Sequence, residues 1–377
     1  ETLARRHDCV VANPPYMGSS SFGPFMSKWV KKSYPDVKSD LCTCFIERNL
    51  SLAKVGGFAS LVTSDTCMYL SSFVAMRTSL VENNTILTFV DTRGTNAHPD
   101  VFDANAIWVL RHGRLKGYEG SYFKLNHRIP EKAGALLEAI RNPDCGWFYR
   151  RDAETFRQIP GTPIAYWLGS GLLAAFENGG SFNSVAHPKV GMQTSNNEKY
   201  LRLWHETDYR PSRSDKKWIK YLKGGDYRKW YGNLEWVLLY RNDPTWILQQ
   251  PHARVLSESF LEKRKNTWTD FTSGLNSFRF APQDTFYDIS GHCYFPSPDN
   301  QLELLAYSNS SLFSFVLKLF NSTVHCQVGD VARVPYLAPA AIDKQRISDL
   351  SQRSLDVSKA DWDSFETSWD FKRHPLV

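Results

Sequence analysis

Short apolar runs alternate with amphipathic stretches over the first 90 or so residues of the chain. The apolar runs have the length of buried strands, whereas Leu41, Phe45 and Leu50 recur at helical spacing behind the capping pair Ser39-Asp40. This order predicts strand, helix, strand, helix, strand, which is half of a parallel, doubly wound α/β sheet. The predicted strands span residues 8–12, 58–63 and 86–91, and the predicted helices span residues 41–54 and 71–82.

The pattern changes further along the chain. A fourth strand at 105–111 is expected to run antiparallel to the third, and residues 129–184 are predicted to form a helical connector. Beyond the connector, short aromatic runs are separated by Gly, Asn and Pro, which is typical of a β-rich domain. We expect that domain at 185–339, with a helix at 302–320, followed by a helical C-terminal segment at 340–377.

The charge of the chain is unevenly distributed. The net charge is +6 in 377 residues, and the stretch 187–265 holds 16 Lys and Arg against 9 Asp and Glu. Such a local excess suits a face that binds a polyanion, although a solvated surface would show the same excess.

The sequence predicts neither a membrane-spanning helix nor a metal site. The most apolar stretch of the chain, 312–320, still contains Lys318 and is too short to span a bilayer. Residues 1–7 are charged and lack the apolar core of a secretory signal. None of the seven Cys forms a Cys-x-x-Cys pair, so we expect a cytoplasmic protein with no membrane partner and no metal site.

The most specific motif is Asn13-Pro14-Pro15-Tyr16, which directly follows the first apolar run. Two consecutive prolines disfavour both a helix and a strand ladder, so the motif indicates a rigid loop at the carboxyl end of a buried strand. Open α/β sheets bind ligands at that edge. The loop can therefore hold two hydrogen-bond acceptors, the Asn13 side-chain oxygen and the Pro14 carbonyl, in fixed positions.

Two fixed acceptors suit methyl transfer to an amide or exocyclic amino group. The lone pair of such a nitrogen is delocalised, and accepting both of its N–H bonds turns the lone pair toward an incoming methyl group. Tyr16 offers a flat face on which an extruded base can stack. We therefore predict Asn13, Pro14, Pro15 and Tyr16 as the catalytic residues.

An apolar strand followed by Asn-Pro-Pro-Tyr resembles the motif of amino-group methyltransferases, chiefly the DNA N6-adenine enzymes. The glutamine methyltransferases of release factors share the motif. The resemblance implies a partial Rossmann-like methyltransferase sheet, S-adenosylmethionine as the cofactor and double-stranded DNA as the partner. It also implies that the β-rich domain is a target-recognition domain and that Phe45 lines the cofactor or base pocket.

Further strings make the chain similar to the PglX family, the adenine-specific methyltransferases of BREX phage-exclusion systems. This resemblance implies a role in phage defence beside other BREX components. Single-chain restriction-modification enzymes share parts of the recognition domain, so a relative of those methyltransferases is an alternative. One departure is Ser195, where the family has glycine, because a tight turn with positive φ disfavours serine. The strings are IPGTPIAYW (159–167), YLKGGDYRKWYGN (221–233), TSGLNSFRFAP (272–282), NSTVHCQVGDVARVP (321–335) and DWDSFETSWDFKRHPL (361–376).

Cations beside glycines mark the predicted DNA contacts. A glycine pair lets the backbone approach a phosphate, and cations interleaved with aromatic residues suit phosphate clamping and base reading. The run Lys263-Arg264-Lys265 is instead typical of a solvated face. We expect contacts to DNA from Lys223, Gly224, Gly225, Arg228, Lys229, Ser273 and Arg279.

The cofactor side of the site is incomplete in the sequence. Enzymes of the resembled kind bind S-adenosylmethionine with a glycine-rich loop before the Asn-Pro-Pro-Tyr motif, whereas residues 1–12 contain no glycine. We therefore expect residues 1–128 to be the C-terminal half of a methyltransferase domain in a longer polypeptide. Three hypotheses stay open: an N6-adenine methyltransferase, a sequence-specific DNA-binding module without a complete cofactor site, and a glutamine or RNA methyltransferase.

Overall fold

The structure is a computed structural model that describes residues 5–92, 105–125, 131–209, 216–272, 274–320 and 324–374. The chain divides into two compact units, Glu1–Glu177 and Asn178–Val377, and each unit has its own hydrophobic core. Among the described residues, no helix combines the length and the apolar character that a membrane span requires.

A six-stranded mixed sheet forms the centre of the first unit. Its strands are β1 (His7–Ala12), β2 (Ala53–Ser64), β3 (Asn84–Asp91), β4 (Asn105–His112), β5 (Glu119–Lys124) and β6 (Phe148–Asp152). They lie in the order β1-β2-β4-β3-β5-β6. β1 is parallel to β2 and β3 is parallel to β5, whereas β4 runs antiparallel to both β2 and β3. Consequently β1, β2, β3 and β5 all end at one edge of the sheet.

Helices cover this sheet, and their apolar sides join a core that includes Phe89, Trp108 and Tyr122. The Asp40 carboxylate accepts a hydrogen bond of 2.9 Å from the Cys42 backbone N–H, so the predicted cap begins its helix. The helices of the first unit are α1 (Pro24–Ser33), α2 (Leu41–Leu52), α3 (Val74–Asn83), α4 (Lys132–Arg141) and α5 (Ser170–Asn178).

The strand that follows α2 begins earlier than the sequence predicts. The helix was expected to continue to residue 54, but β2 already begins at Ala53 and contains Gly56 and Gly57. A Cβ atom on Gly57 would lie 2.9 Å from the Asp8 carbonyl oxygen. These glycines therefore permit the close approach of β1 to β2, where the pairing register shifts.

The predicted helical connector at 129–184 contains a strand. β6 pairs antiparallel with β5, and the rings of Phe123 and Phe148 lie 5.0 Å apart. This part of the expectation was wrong because packing against a neighbouring strand outweighs the local preference. The antiparallel pairing of β4 with β3 is confirmed.

The second unit contains many short strands and three small sheets. Its strands are β7 (Gly180–Ser181), β8 (Leu201–Leu203), β9 (Trp218–Leu222), β10 (Trp236–Leu239), β11 (Lys265–Trp268), β12 (Phe278–Ala281), β13 (Thr285–Tyr287), β14 (Cys293–Tyr294) and β15 (Pro335–Tyr336). The four-stranded sheet has the order β13-β9-β10-β8 and the three-stranded sheet has the order β12-β11-β14, whereas β15 pairs with β7.

The helix predicted at 302–320 is divided into two helices at Asn309. The Asn309 side chain accepts a hydrogen bond from the Phe278 N–H at 3.0 Å and donates one to the Phe278 carbonyl at 2.8 Å. The second unit has the helices α6 (Phe182–Ala186), α7 (Asn197–Tyr200), α8 (Ser259–Glu262), α9 (Gln301–Ser308), α10 (Ser311–Phe320), α11 (Val328–Arg333) and α12 (Ala341–Trp362).

Candidate active site and nucleic-acid interface

The Asn13–Tyr16 loop leaves the carboxyl end of β1, at the edge where β2, β3 and β5 also end. Pro14 is buried, whereas Asn13 and Pro15 are exposed and Tyr16 is 36 % exposed. A buried proline fixes the backbone of the loop while the Asn13 side chain remains accessible. The structure thus leaves the Asn13 side chain open to solvent, and the acceptor role of Asn13 and Pro14 stays a prediction.

Backbone hydrogen bonds fasten the residues after this loop to the start of α2. The Leu41 N–H donates to the Met17 carbonyl and the Ser19 N–H donates to the Ser39 carbonyl, each at 2.9 Å. The Asn13 side chain makes no hydrogen bond to any other residue within the described ranges. Its oxygen is therefore free to accept a hydrogen bond from an external amino group.

The exposed Tyr16 lies near two buried thiols, Cys42 and Cys67, that are chemically inert. Burial raises the pKa of Tyr16, and the neighbouring Cys42 and Cys67 add to this effect. Burial also raises the pKa of Cys67 to about 12 and that of Cys42 well above the value of a free thiol. Both thiols are protonated near neutral pH, so neither competes as a nucleophile, and both are fully buried.

Phe45, the predicted cofactor-lining residue, lies one turn along α2 from the Asp40 cap. It is half-buried and packs against the core of the first unit. The structure thus places Phe45 on the helix whose start is fastened to the residues after the Asn13–Tyr16 loop, and it gives Phe45 a packing role.

Two buried carboxylates at the same edge were missed by the sequence analysis. Asp65 follows β2 and is 2 % exposed, and Asp91 ends β3 and is 1 % exposed. The Tyr166 hydroxyl donates to Asp91 Oδ2 at 3.3 Å. Each of two successive apolar runs ends in or near an aspartate, and this sequence signal could have indicated the two carboxylates.

Arg77 joins this edge to the IPGTPIAYW segment. The fully buried guanidinium donates to the carbonyl oxygens of Cys67 at 2.8 Å and Gly161 at 2.7 Å. This string of the predicted resemblance therefore supports the turn after β2, next to Tyr16.

The predicted DNA-binding loop of the second unit needs its glycines for its own fold. Gly224 has a φ of 81° and Gly225 a φ of 121°, both in the left-handed region. A Cβ atom on Gly224 would lie 2.6 Å from the Ser290 carbonyl oxygen. Gly225 is exposed, so its backbone is accessible to a phosphate.

Three cations predicted to contact DNA are engaged within the second unit. Arg228 Nη1 lies 2.7 Å from Asp361 Oδ2, and Lys229 Nζ donates to the Asn309 carbonyl at 2.7 Å. Lys223 Nζ lies 5.0 Å from the centre of the Trp236 ring. These side chains are half-buried and hold elements of the unit together.

Arg279 requires a correction. It was expected to contact DNA, but it is 1 % exposed, and its guanidinium donates to the Thr269 hydroxyl at 3.1 Å. Burial lowers the pKa of Arg279 to about 10. A buried guanidinium cannot reach a base edge, so we assign Arg279 a structural role. Ser273, also predicted to contact DNA, lies outside the described residues.

Exposed apolar side chains flank the glycine loop and were not predicted as contacts. Tyr227, Phe271 and Leu275 are each more than half exposed. The Thr269 hydroxyl donates to the Gly225 carbonyl at 3.0 Å, which joins the two segments that carry these residues. Exposed rings beside an accessible backbone are typical of nucleic-acid surfaces.

A separate cleft of about 570 Å³ lies in the second unit. Exposed Lys263 and Arg264 line it, and Lys263 Nζ lies 4.5 Å from the centre of the Phe260 ring. Lys265 does not share this exposure: it is fully buried, so the expected solvated face ends at Arg264.

Residues 2–98 match the family model described as Eco57I restriction-modification methylase, and this segment contains the Asn13–Tyr16 loop. The fold is similar to that of the type IIL restriction-modification enzyme MmeI, whose structure was solved in complex with DNA. The TM-score is 0.56 at 12 % identity, covering 96 % of this chain and 50 % of that one. The fold is therefore that of restriction-modification methylases, a Rossmann-like α/β unit followed by a mixed β-rich unit.

Two curated relatives of the chain are both named adenine-specific methyltransferases. The chain is 30 % identical over its whole length to the adenine-specific methyltransferase PglX of Lacticaseibacillus casei (strain Zhang) and to the adenine-specific methyltransferase BrxX of Escherichia coli O9:H4 (strain HS). It covers 33 % and 31 % of these relatives, so it spans about a third of their length. The predicted resemblance to the PglX family is confirmed.

Proposed function

We propose that this chain carries the acceptor side of a site-specific DNA N6-adenine methyltransferase. The observation that carries the proposal is the accessible Asn13 side chain on a loop fixed by buried Pro14 at the carboxyl edge of the sheet. The names of the two relatives, both adenine-specific methyltransferases, support adenine as the acceptor. The target base is flipped out of the duplex, because N6 is inaccessible to the loop inside a base stack.

Each residue of the loop has one task in this reaction. The adenine amino group donates one N–H to the Asn13 oxygen and the other to the Pro14 carbonyl, which directs the nitrogen lone pair toward the methyl donor. Pro15 keeps the loop rigid. Tyr16 stacks on the flipped base and offsets part of the few kcal/mol that flipping costs.

S-adenosylmethionine, the donor used by this class of methyltransferase, supplies an electrophilic methyl group when bound. The described residues fit the acceptor flank of such a site, because an unpartnered amide oxygen faces solvent and the adjacent thiols are protonated. Phe45 is the residue of this chain that we propose lines the cofactor or base pocket.

The second unit is proposed to recognise the DNA sequence around the adenine. Its accessible Gly225 backbone and the exposed Tyr227 and Phe271 support this role. Lys223, Gly224, Arg228 and Lys229 shape the loop that presents them. The resemblance to PglX supports a cytoplasmic role in BREX phage defence with other BREX components, which co-purification with those components would test.

Competition between substrates tests the proposed acceptor. Methyl transfer from labelled S-adenosylmethionine is measured with duplex DNA in the presence of excess RNA or excess release-factor protein. We expect label in N6-methyladenine and little inhibition by either competitor. Label in RNA or in a glutamine amide would assign the loop to the other amino-methyltransferases that share its motif.

A sequence-specific DNA-binding module is the second candidate, favoured by the accessible Gly225 backbone beside the exposed Tyr227 and Phe271 of the second unit. Calorimetric titration of S-adenosylmethionine into the chain separates the two candidates. Micromolar binding supports the enzyme, whereas DNA binding without any cofactor binding supports the module.

A further inference from the structure

α1 begins eight residues after Tyr16 and exposes an unusual face. Phe25 is 83 % exposed and Trp29 is 45 % exposed. Phe25, Lys28, Trp29 and Lys32 follow the spacing i, i+3, i+4 and i+7, so they share one side of the helix. Two large exposed rings on one helix face are unfavourable in water and mark an interaction surface.

The other side of α1 holds the helix to the first unit. Val30 is 1 % exposed and Met26 packs against the core. The loop before α1 is fastened to the start of α2 by the hydrogen bonds of Met17 and Ser19. The exposed face is therefore presented on a fixed helix beside the catalytic loop.

The charge on α1 indicates what covers this face. Lys28, Lys31 and Lys32 are all exposed, and α1 contains no acidic residue. None of the three lysines forms an ion pair with any residue that the structure describes. Rings interleaved with unpaired cations complement a chain of phosphates with exposed bases, rather than an apolar protein surface.

The α1 face is defined here as Phe25, Lys28, Trp29 and Lys32. We propose that this face binds the duplex DNA that flanks the flipped adenine, an inference that rests on the proposed function. The lysines neutralise backbone phosphates. Phe25 and Trp29 contact the sugars and the base faces that lose their stacking partner when the adenine leaves the duplex.

Two double variants test this surface by fluorescence anisotropy with a labelled duplex across a salt series. K28Q/K32Q should lower the dependence of log K on log salt by about 2, since each phosphate contact contributes about 0.9. F25A/W29A should weaken DNA binding by about tenfold or more while leaving the salt dependence unchanged, because stacking is uncharged.

α4 offers a matched control. Leu137 and Ile140 are exposed apolar residues beside the exposed Arg141, also on a helix of the first unit. L137A/I140A and R141Q should bind DNA like the wild type. Circular dichroism and thermal melting of each variant verify that the fold is retained.

The outcomes separate this inference from the proposed function. If the wild-type protein binds and methylates DNA but both α1 variants match it in affinity, salt dependence and KM for DNA, the face is covered by another segment or a second copy, and the inference is wrong. If the wild-type protein neither binds nor methylates DNA, the proposed function fails and the inference fails with it.

Discussion

Ser195 occupies the left-handed region, with a φ of 55°, immediately before the Asn196 cap of α7. The sequence indicated strain here because serine replaces the family's glycine. A left-handed conformation costs an L-residue about 1–2 kcal/mol. The chain therefore adopts at Ser195 a conformation that glycine would accommodate with less strain.

Ser195→Gly should raise the free energy of unfolding by about 0.5–1 kcal/mol, because glycine removes the strain but gains freedom in the unfolded chain. Urea denaturation measures the change. Ser195→Ala serves as the control and should bring no gain. A less stable glycine variant would contradict the assignment of strain to this turn.

Lys265 is a buried cation held by carbonyl oxygens. Its Nζ donates to the Thr285 carbonyl at 3.0 Å, and burial lowers its pKa to about 8. In the unfolded chain this group keeps its proton up to about pH 10.5. Between pH 8 and 10.5 the unfolded state thus binds more protons, so Lys265 makes the folded state more stable as the pH rises.

Lys265→Met should remove a pH-dependent contribution of about 3 kcal/mol, since each pKa unit corresponds to about 1.4 kcal/mol. Denaturant unfolding of both proteins at pH 7 and pH 10 measures it as the difference between variant and wild type. Lys263→Met changes an exposed neighbouring lysine, and its free energy of unfolding should change between the two pH values as that of the wild type does. Parallel pH curves for Lys265→Met and wild type would show that Lys265 is not the titrating group.

At the scale of elements, the glycine loop of the second unit depends on Gly224. An alanine there would combine a positive φ with a Cβ atom 2.6 Å from the Ser290 carbonyl. We expect Gly224→Ala to cost about 3 kcal/mol of stability. Gly274→Ala, where nothing lies within 4 Å of the added atom, should cost little. Thermal melting compares the two, and equal melting temperatures would rule out a packing role for Gly224.

Elements governed by local pattern could be predicted from the sequence. The three apolar runs became β1, β2 and β3, and Asp40 caps α2. Elements governed by distant contacts could not. β6 exists because it pairs with β5, and the break between α9 and α10 depends on the Asn309 side chain reaching Phe278.

The candidate site shows the same division. The Asn13–Tyr16 loop could be proposed from the sequence because its chemistry depends on residue types that are adjacent in the chain. Burial of a cation is not visible in a sequence, so Arg279 was mistaken for a surface residue. The α1 face was missed because exposure of Phe25 and Trp29 depends on which side of the helix joins the core.

At the scale of the whole molecule, β1 is an edge strand of the described sheet, and its Val11 is 75 % exposed. A free strand edge with apolar side chains favours pairing with another chain. Val11→Lys should reduce self-association of this chain at high concentration. Val55→Lys, at an equally exposed valine near the start of β2, is the control. Sedimentation that stays identical for Val11→Lys and wild type would contradict an aggregation-prone edge.

In the proposed reaction, the Asn13 oxygen orients the amino group that is methylated. The most direct test measures methyl transfer to duplex DNA and DNA affinity together in Asn13→Ala, with Ser20→Ala as an exposed neighbouring control. Loss of a transition-state hydrogen bond should lower the transfer rate by about 100-fold or more, with DNA affinity unchanged. Transfer within a few-fold of wild type at equal DNA affinity would show that Asn13 has no role in orienting the acceptor.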